Sequence, residues 1–195
     1  MNIGWDIESL ILVTGIIGST IGCILILRYN WKQYGLLLLT SAITGELLCY
    51  FFVTCGFYSF PYRLFPNISP MPFFLVLTMF PCLVLLGVCY SPISWKYKIP
   101  FYWIIVHLGM LFEVLSQTYT KVIKYGKYWD TWDSYTWWWL FLLIFELIGG
   151  ILVSKEYRRP ISEAIFRYGN LGWFILHFIL IFTILLSGLY LGLKL

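Results

Sequence analysis

Apolar residues in this chain gather into long runs, separated by short segments that hold nearly all of its charge and most of its proline. Six runs reach the roughly 18–25 residues that a helix needs to cross hydrocarbon. They cover about 9–27, 35–56, 72–90, 99–120, 135–153 and 169–193, with ends uncertain by a few residues. In lipid a helix satisfies its own backbone hydrogen bonds, so the pattern predicts an all-α, polytopic transmembrane bundle of about six spans. The first run follows Asp6 and Glu8 rather than basic residues, is too long for a signal peptide, and has no small-x-small cleavage site after it. It is expected to remain as a helix. No linker of Ser, Gly or Pro divides the chain and no internal repeat is visible, which makes residues 1–195 a single integral membrane domain.

The connecting segments carry their own signals. Residues 57–72, FYSFPYRLFPNISPMP, contain four prolines that stop helix and stiffen the turn. Residues 124–139, KYGKYWDTWDSYTWWW, read as an aromatic belt at a membrane interface, with Asp133 or Ser134 capping the fifth helix. In RRPISEAIFRYG, residues 158–169, Ile161, Ala164, Ile165 and Tyr168 form one apolar stripe after Pro160, which predicts a short interfacial helix over about 160–168. Its arginines, Arg158, Arg159 and Arg167, would meet anionic headgroups. Gly18 with Gly22, and Gly188 with Gly192, have GxxxG spacing, expected either to pack the first helix on the last or to form a homo-oligomer seam.

Composition agrees with the pattern. The chain is 61% hydrophobic and 11% charged, against about 45–50% and 25% in an ordinary soluble domain. Eight of its 13 Lys and Arg follow the first, third and fifth spans, and five lie at the opposite ends. The positive-inside bias therefore puts both termini on the outer side. The net charge of +4 is scattered over flanking loops, where membrane topology and anionic lipid account for it, and gives no sign of a nucleic-acid partner. Cys23, Cys49, Cys55, Cys82 and Cys89 show neither CxxC spacing nor a disulfide framework and read as small packing residues.

Candidate chemistry rests on ionisable residues inside the spans: Glu46, Glu113 and Glu146, with His107 and His177. A carboxylate in hydrocarbon costs several kcal/mol, and desolvation favours its neutral form. Each acid is therefore expected to be protonated, paired or facing water. No Lys or Arg falls within the predicted spans at these depths to pair with them. At ~1.5 Å per residue, Glu46, His107, Glu146 and His177 lie about 12–17 Å from one membrane face and Glu113 about 21 Å. That depth predicts a shared, inward-facing cavity. Glu113, Gln117 and Lys121, at i, i+4 and i+8, form a stripe that would lead into it from outside. Tyr50 stands one turn from Glu46, and Gly149 and Gly150 would let a neighbouring helix approach beside Glu146. No HExxH, ExxH or His pair suggests a metal, and no GxSxG, Walker loop or dinucleotide fingerprint suggests a hydrolase or a nucleotide cofactor. What remains is proton chemistry in a dry cavity. The same groups also have a plain structural reading, as hydrogen bonds between helices.

In WKQY (31–34), GELLCYFF (45–52), FPCLVLLGVCYSP (80–92), WKYKIPFYW (95–103) and the Trp-rich fifth span, the chain resembles a group of small, uncharacterised multi-span membrane proteins of Bacillus and Clostridium relatives. That resemblance implies a bacterial plasma membrane and no particular activity. The stretch from Glu46 to Phe51 also resembles the second span of integral-membrane terpene cyclases, which carry an acid followed by aromatic residues. Those cyclases have a further acid in the last span, where this chain has His177.

Three functions follow as expectations. The first is binding or translocation of an amphiphile or small solute, with no cofactor and open to proton coupling, along Glu46, His107, Glu113, Gln117, Glu146 and His177. The second is a membrane-embedded enzyme on a lipid or isoprenoid, with Glu46 or Glu113 as catalytic acid. The third is a structural or assembly subunit. Membrane lipids are the expected partners of all three.

Overall fold

The computed structural model describes residues 4–166 and 169–194. Six helices account for most of the chain: α1 (Ile7–Leu27), α2 (Trp31–Thr54), α3 (Phe73–Tyr90), α4 (Trp95–Tyr119), α5 (Thr131–Leu152) and α6 (Asn170–Lys194). The first five are each long and apolar enough to cross a membrane; in α6 the qualifying apolar stretch among the described residues is the shorter Gly172–Leu186. Outward-facing positions such as Leu10, Ile17, Leu39, Leu47, Leu111 and Ile144 are large, apolar and exposed, consistent with an integral membrane protein whose solvent is lipid. The fold is an all-α bundle.

Local signals explain where the helices begin and end. Asp6 caps α1 by accepting the Ser9 N–H at 2.7 Å, and Asn30 caps α2 by accepting the Gln33 N–H at 3.0 Å. The Ser9 N–H also holds the exposed Asp6 carboxyl below its ordinary pKa. α5 starts with a capping box between Asp130 and Asp133, one turn earlier than the Asp133 or Ser134 cap that the sequence suggested. Ser134 instead accepts the Trp129 indole N–H at 2.8 Å. α2 ends in a Schellman turn: Gly56 has φ 74°, its N–H bonds the Val53 carbonyl, and the Phe57 N–H bonds the Phe52 carbonyl, both at 3.0 Å.

The helices run up and down, which gives the bundle two distinct ends. Short turns at residues 28–30 and 91–94 join α1 to α2 and α3 to α4 at the basic end. The described part of the connector, residues 153–166, folds across that same end. At the opposite end the longer loops 55–72 and 120–130 meet in a two-stranded antiparallel ribbon, β1 (Tyr58–Ser59) against β2 (Lys124–Tyr125). This ribbon end is fastened further by Tyr62, whose N–H bonds the Lys121 carbonyl at 2.8 Å and whose hydroxyl meets Ser9 at 2.7 Å.

α3 is the most enclosed of the five membrane-length helices and packs against α1, α2 and α5, while α4 packs on α5. The main core runs from Ile26, Tyr34 and Leu37 through Val84, Leu85 and Val88 to Tyr102, Val106, Phe141, Leu142 and Phe145. Two smaller clusters lie under the ribbon-end loops, around Phe60 and Met71 and around Leu12 and Leu64. The Trp-rich segment is divided between core and surface. Trp129 and Trp138 are buried and Trp132 and Trp137 exposed, because Trp129 packs on Phe52, Phe57 and Tyr58 and Trp138 stacks on Phe80.

Two expected elements differ. The interfacial α-helix over 160–168 is replaced by two short 3-10 turns, Lys155–Tyr157 and Glu163–Phe166, while Arg167 and Tyr168 lie outside the described residues. Backbone bonds from Arg159 N–H to the Cys89 carbonyl (2.8 Å) and from Ile161 N–H to the Tyr90 carbonyl (2.9 Å) hold this connector extended against the end of α3. The expected first-on-last helix seam is also not formed among the described residues. An added Cβ at Gly18, Gly188 or Gly192 would meet nothing within 4 Å, and Leu180 is the one buried side chain among the described residues of α6. The seam of α1 is instead with α3, through Gly15, Ser19 and Gly22, where Ser19 Oγ donates to Thr78 Oγ1 at 2.8 Å.

A Cβ at Gly22 would fall 2.6 Å from Cys82 Sγ. Gly22→Ala is therefore expected to destabilise the bundle by about 1–3 kcal/mol through overpacking. Adding Cys82→Ala should recover most of that loss, as read by thermal unfolding of the purified variants in detergent.

Candidate functional site: two polar clusters in the bundle

Glu146 sits in α5 and is enclosed in the core, 2% exposed. Its carboxylate is met from four directions. Oε1 accepts from Lys98 Nζ and, at 3.2 Å, from Arg158 Nη1; Oε2 accepts from the Tyr102 hydroxyl at 2.6 Å and Ser91 Oγ at 3.2 Å. A carboxylate offers about four lone-pair sites, so the group is saturated. The helix periodicity explains the α4 donors: Lys98 and Tyr102 are four residues apart and share one face. Ser91 lies in the turn that ends α3, and Arg158 comes from the connector after α5 has ended. Lys98 also lies 5.3 Å from the Trp95 ring centre.

This arrangement corrects the expectation that no cation reaches the buried acids. Lys98 was assigned to a flanking turn, but α4 begins at Trp95, so Lys98 is inside the helix and 7% exposed. Arg158 was assigned to lipid headgroups and instead folds back beneath α5. Lys98, Tyr102, Ser91 and Arg158 were all missed as partners of Glu146. The one signal available was the i, i+4 relation of a basic and a phenolic residue at the start of an apolar run. The glycine expectation near Glu146 holds on one side: Val88 of α3 packs directly on Gly149.

A second cluster lies toward the ribbon end. Glu113 Oε1 accepts from the Tyr125 hydroxyl at 2.5 Å, and Oε2 accepts from the Trp138 indole N–H at 2.8 Å. Burial first, and then the Glu113 charge, push the Tyr125 phenol well above its ordinary pKa, so it remains a donor. Tyr58, on the paired strand, is raised by burial and then by neighbouring Cys49, with Glu113 adding to both. Cys49 lies one turn along α2 from Glu46. Glu46 is therefore at the margin of this cluster, but its two carboxyl oxygens are enclosed and have no hydrogen-bond partner among the described residues.

The five groups expected around one cavity are thus distributed. Glu146 is enclosed at the basic end, and Glu113 and Glu46 lie toward the ribbon end. His107 is exposed on α4, with Nδ1 2.8 Å from the Trp103 carbonyl and Nε2 accepting the Trp103 indole N–H at 3.0 Å. His177 makes the equivalent contact on α6, Nδ1 to the Trp173 carbonyl at 2.8 Å. Both histidines satisfy themselves on their own helix. Gln117 is half-buried on α4, but the helix stops at Tyr119, so Lys121 leaves the expected ladder; its N–H instead meets Glu8 at 3.2 Å. One crevice among the described residues lies between α1 and residues 64–75, and another lies along the start of α2; neither is lined by any of these groups. Among the described residues, no three His, Cys, Asp or Glu gather in a way that could hold a metal. No family model, curated protein or solved structure matches the chain.

Replacing Glu146 with Leu would leave Lys98 and Arg158 buried without their counter-charge. The expected cost is about 3–5 kcal/mol. The triple variant Lys98→Met, Glu146→Leu, Arg158→Met should recover most of it, since removing every charge also removes the desolvation cost. Unfolding by denaturant in mixed micelles measures both.

Proposed function

We propose that this is a small protein of the bacterial plasma membrane that binds or carries an amphiphile or small solute, with Glu46 as the group that engages it and exchanges a proton. The observation behind this reading is the isolation of the Glu46 carboxyl. Donors from neighbouring elements meet both Glu113 and Glu146, whereas both oxygens of Glu46 are enclosed without one among the described residues. An enclosed polar group without a partner costs free energy that folding must offset elsewhere. A ligand carrying an N–H or O–H would remove that cost. Glu113, with Tyr125 and Tyr58, would form the second wall of the site, and Glu146 would serve the scaffold. Lipids surround the bundle in this reading, and the open Gly18 face is where a second copy would pack.

One observation favours an enzyme instead. Phe80 and Phe141 pack beside Gly45, next to Glu46, with 3.5 Å from a Gly45 Cβ to Phe80. Aromatic faces near an acid suit a cationic intermediate of an isoprenoid.

Proteoliposomes with an internal pH indicator, challenged with a panel of amphiphilic amines, test the first reading. Loss of one hydrogen bond to an ionisable partner is worth about 1.5–3 kcal/mol, so Glu46→Gln should lower flux or binding about tenfold or more. Unchanged flux removes Glu46 from the function. Turnover of an added prenyl lipid that Glu46→Gln abolishes would move the assignment to the enzyme.

A further inference from the structure

The cluster around Glu146 contains two cations and one acid, and its charge is not balanced. Arg158 uses Nη1 on Glu146, while its Nε and Nη2 are closed to water and have no partner among the described residues. These two nitrogens form the side-on edge of the guanidinium, which presents two parallel N–H groups to a carboxylate or phosphate. The neighbouring acids do not fill it. The ion pairs among the described residues are Lys98 and Arg158 with Glu146; Glu156 is exposed, and Glu163 accepts the Ser94 N–H at 2.9 Å.

We propose that the Nε and Nη2 edge of Arg158 is the core of an oxyanion site that receives a phosphate group at the basic end of the bundle. The direction of approach is set by Gly150. A Cβ added there would lie 3.9 Å from Arg158 Nη2, and Gly150 itself is exposed on the outside of α5. The missing side chain leaves the guanidinium edge covered thinly on the face turned to lipid. Gly150 is two residues from the last residue of α5, about 3 Å along the helix axis, which is the level of headgroups rather than acyl chains. The surroundings favour an anion. Segments 28–32, 91–98 and 146–166 hold seven basic and three acidic residues, and Arg159 lies close by with its guanidinium carbon 5.4 Å from the Tyr29 ring centre. A lipid phosphate or a soluble phosphate would satisfy the same edge. Entry of either requires the Arg158 side chain to rotate about its Nη1 bond to Glu146, because both nitrogens are closed to water.

The site is independent of Glu46, so the two proposals fail separately. Full-length protein in a neutral detergent is titrated with short-chain phosphatidylglycerol, phosphatidylcholine and inorganic phosphate, with binding read by native mass spectrometry and by the shift in Tm. Phosphatidylglycerol is expected to bind at least about tenfold more tightly than phosphatidylcholine. Arg158→Lys, which keeps the charge and loses the fork, should abolish that preference; Arg159→Lys and Glu46→Gln should keep it. Should Arg158→Lys fail to fold, Gly150→Leu serves in its place, because it covers the edge and leaves the Glu146 contacts alone. Inorganic phosphate that reproduces the Tm shift and displaces the lipid would assign the site to a soluble phosphate. Equal binding of the two lipids with no effect of phosphate, or full retention of the preference in both Arg158→Lys and Gly150→Leu, overturns the proposal.

Discussion

Three separate pieces of chain send polar side chains to Glu146: α4, the turn after α3, and the connector beyond α5, all converging on a carboxylate carried by α5 itself. Taking that charge out of water costs several kcal/mol, and the cost is offset only while every donor stays in place. The constraint reaches well beyond the pair. Tyr102 gets to Glu146 by passing over Gly87, where a Cβ would lie 2.7 Å from its hydroxyl. Val88 must sit against Gly149 for α3 and α5 to close the space. The path of the connector follows as well, because Arg158 has to turn back under the helix from which the chain has just emerged. Gln33 and Ser154, and Tyr34 with the Tyr157 carbonyl, then fasten the connector to α2.

The two ends of the molecule solve the same problem with different materials. At the basic end a buried acid is neutralised by cations. At the ribbon end Glu113 is held by uncharged donors, a phenol and an indole, from β2 and α5. Aromatic residues dominate there because each can fill space between helices and still offer one hydrogen bond. Trp129 illustrates the economy of that choice, packing on three rings while its N–H meets Ser134.

The spans were legible in the sequence because hydrocarbon thickness imposes a length and a polarity that composition alone reveals. Each expected boundary of the five membrane-length helices lies within four residues of the observed one. The grouping of the ionisable residues was not legible, because depth along a helix says nothing about which way a side chain faces. His107 and His177 share a depth with Glu146 in the count along each span, yet each turns to the carbonyl one turn back. Lys98 was misread because a lysine at the edge of an apolar run has two options, the interface or a buried acid, and the sequence does not choose between them. The connector was misread for a related reason. Its apolar spacing suits an amphipathic helix, but backbone bonds to the end of α3 favour an extended path.

The ribbon joins a loop that precedes α3 to a loop that follows α4. Its second strand is made some 65 residues after its first, counting from Tyr58↔Tyr125 and Ser59↔Lys124. During synthesis, then, the first loop must wait at its end of the bundle until α3 and α4 have been made and the second loop arrives to meet it. The fastening between the halves of the protein is a late event in biogenesis, and a ribosome-bound chain that ends before the second strand would leave its first four helices as an unlocked unit.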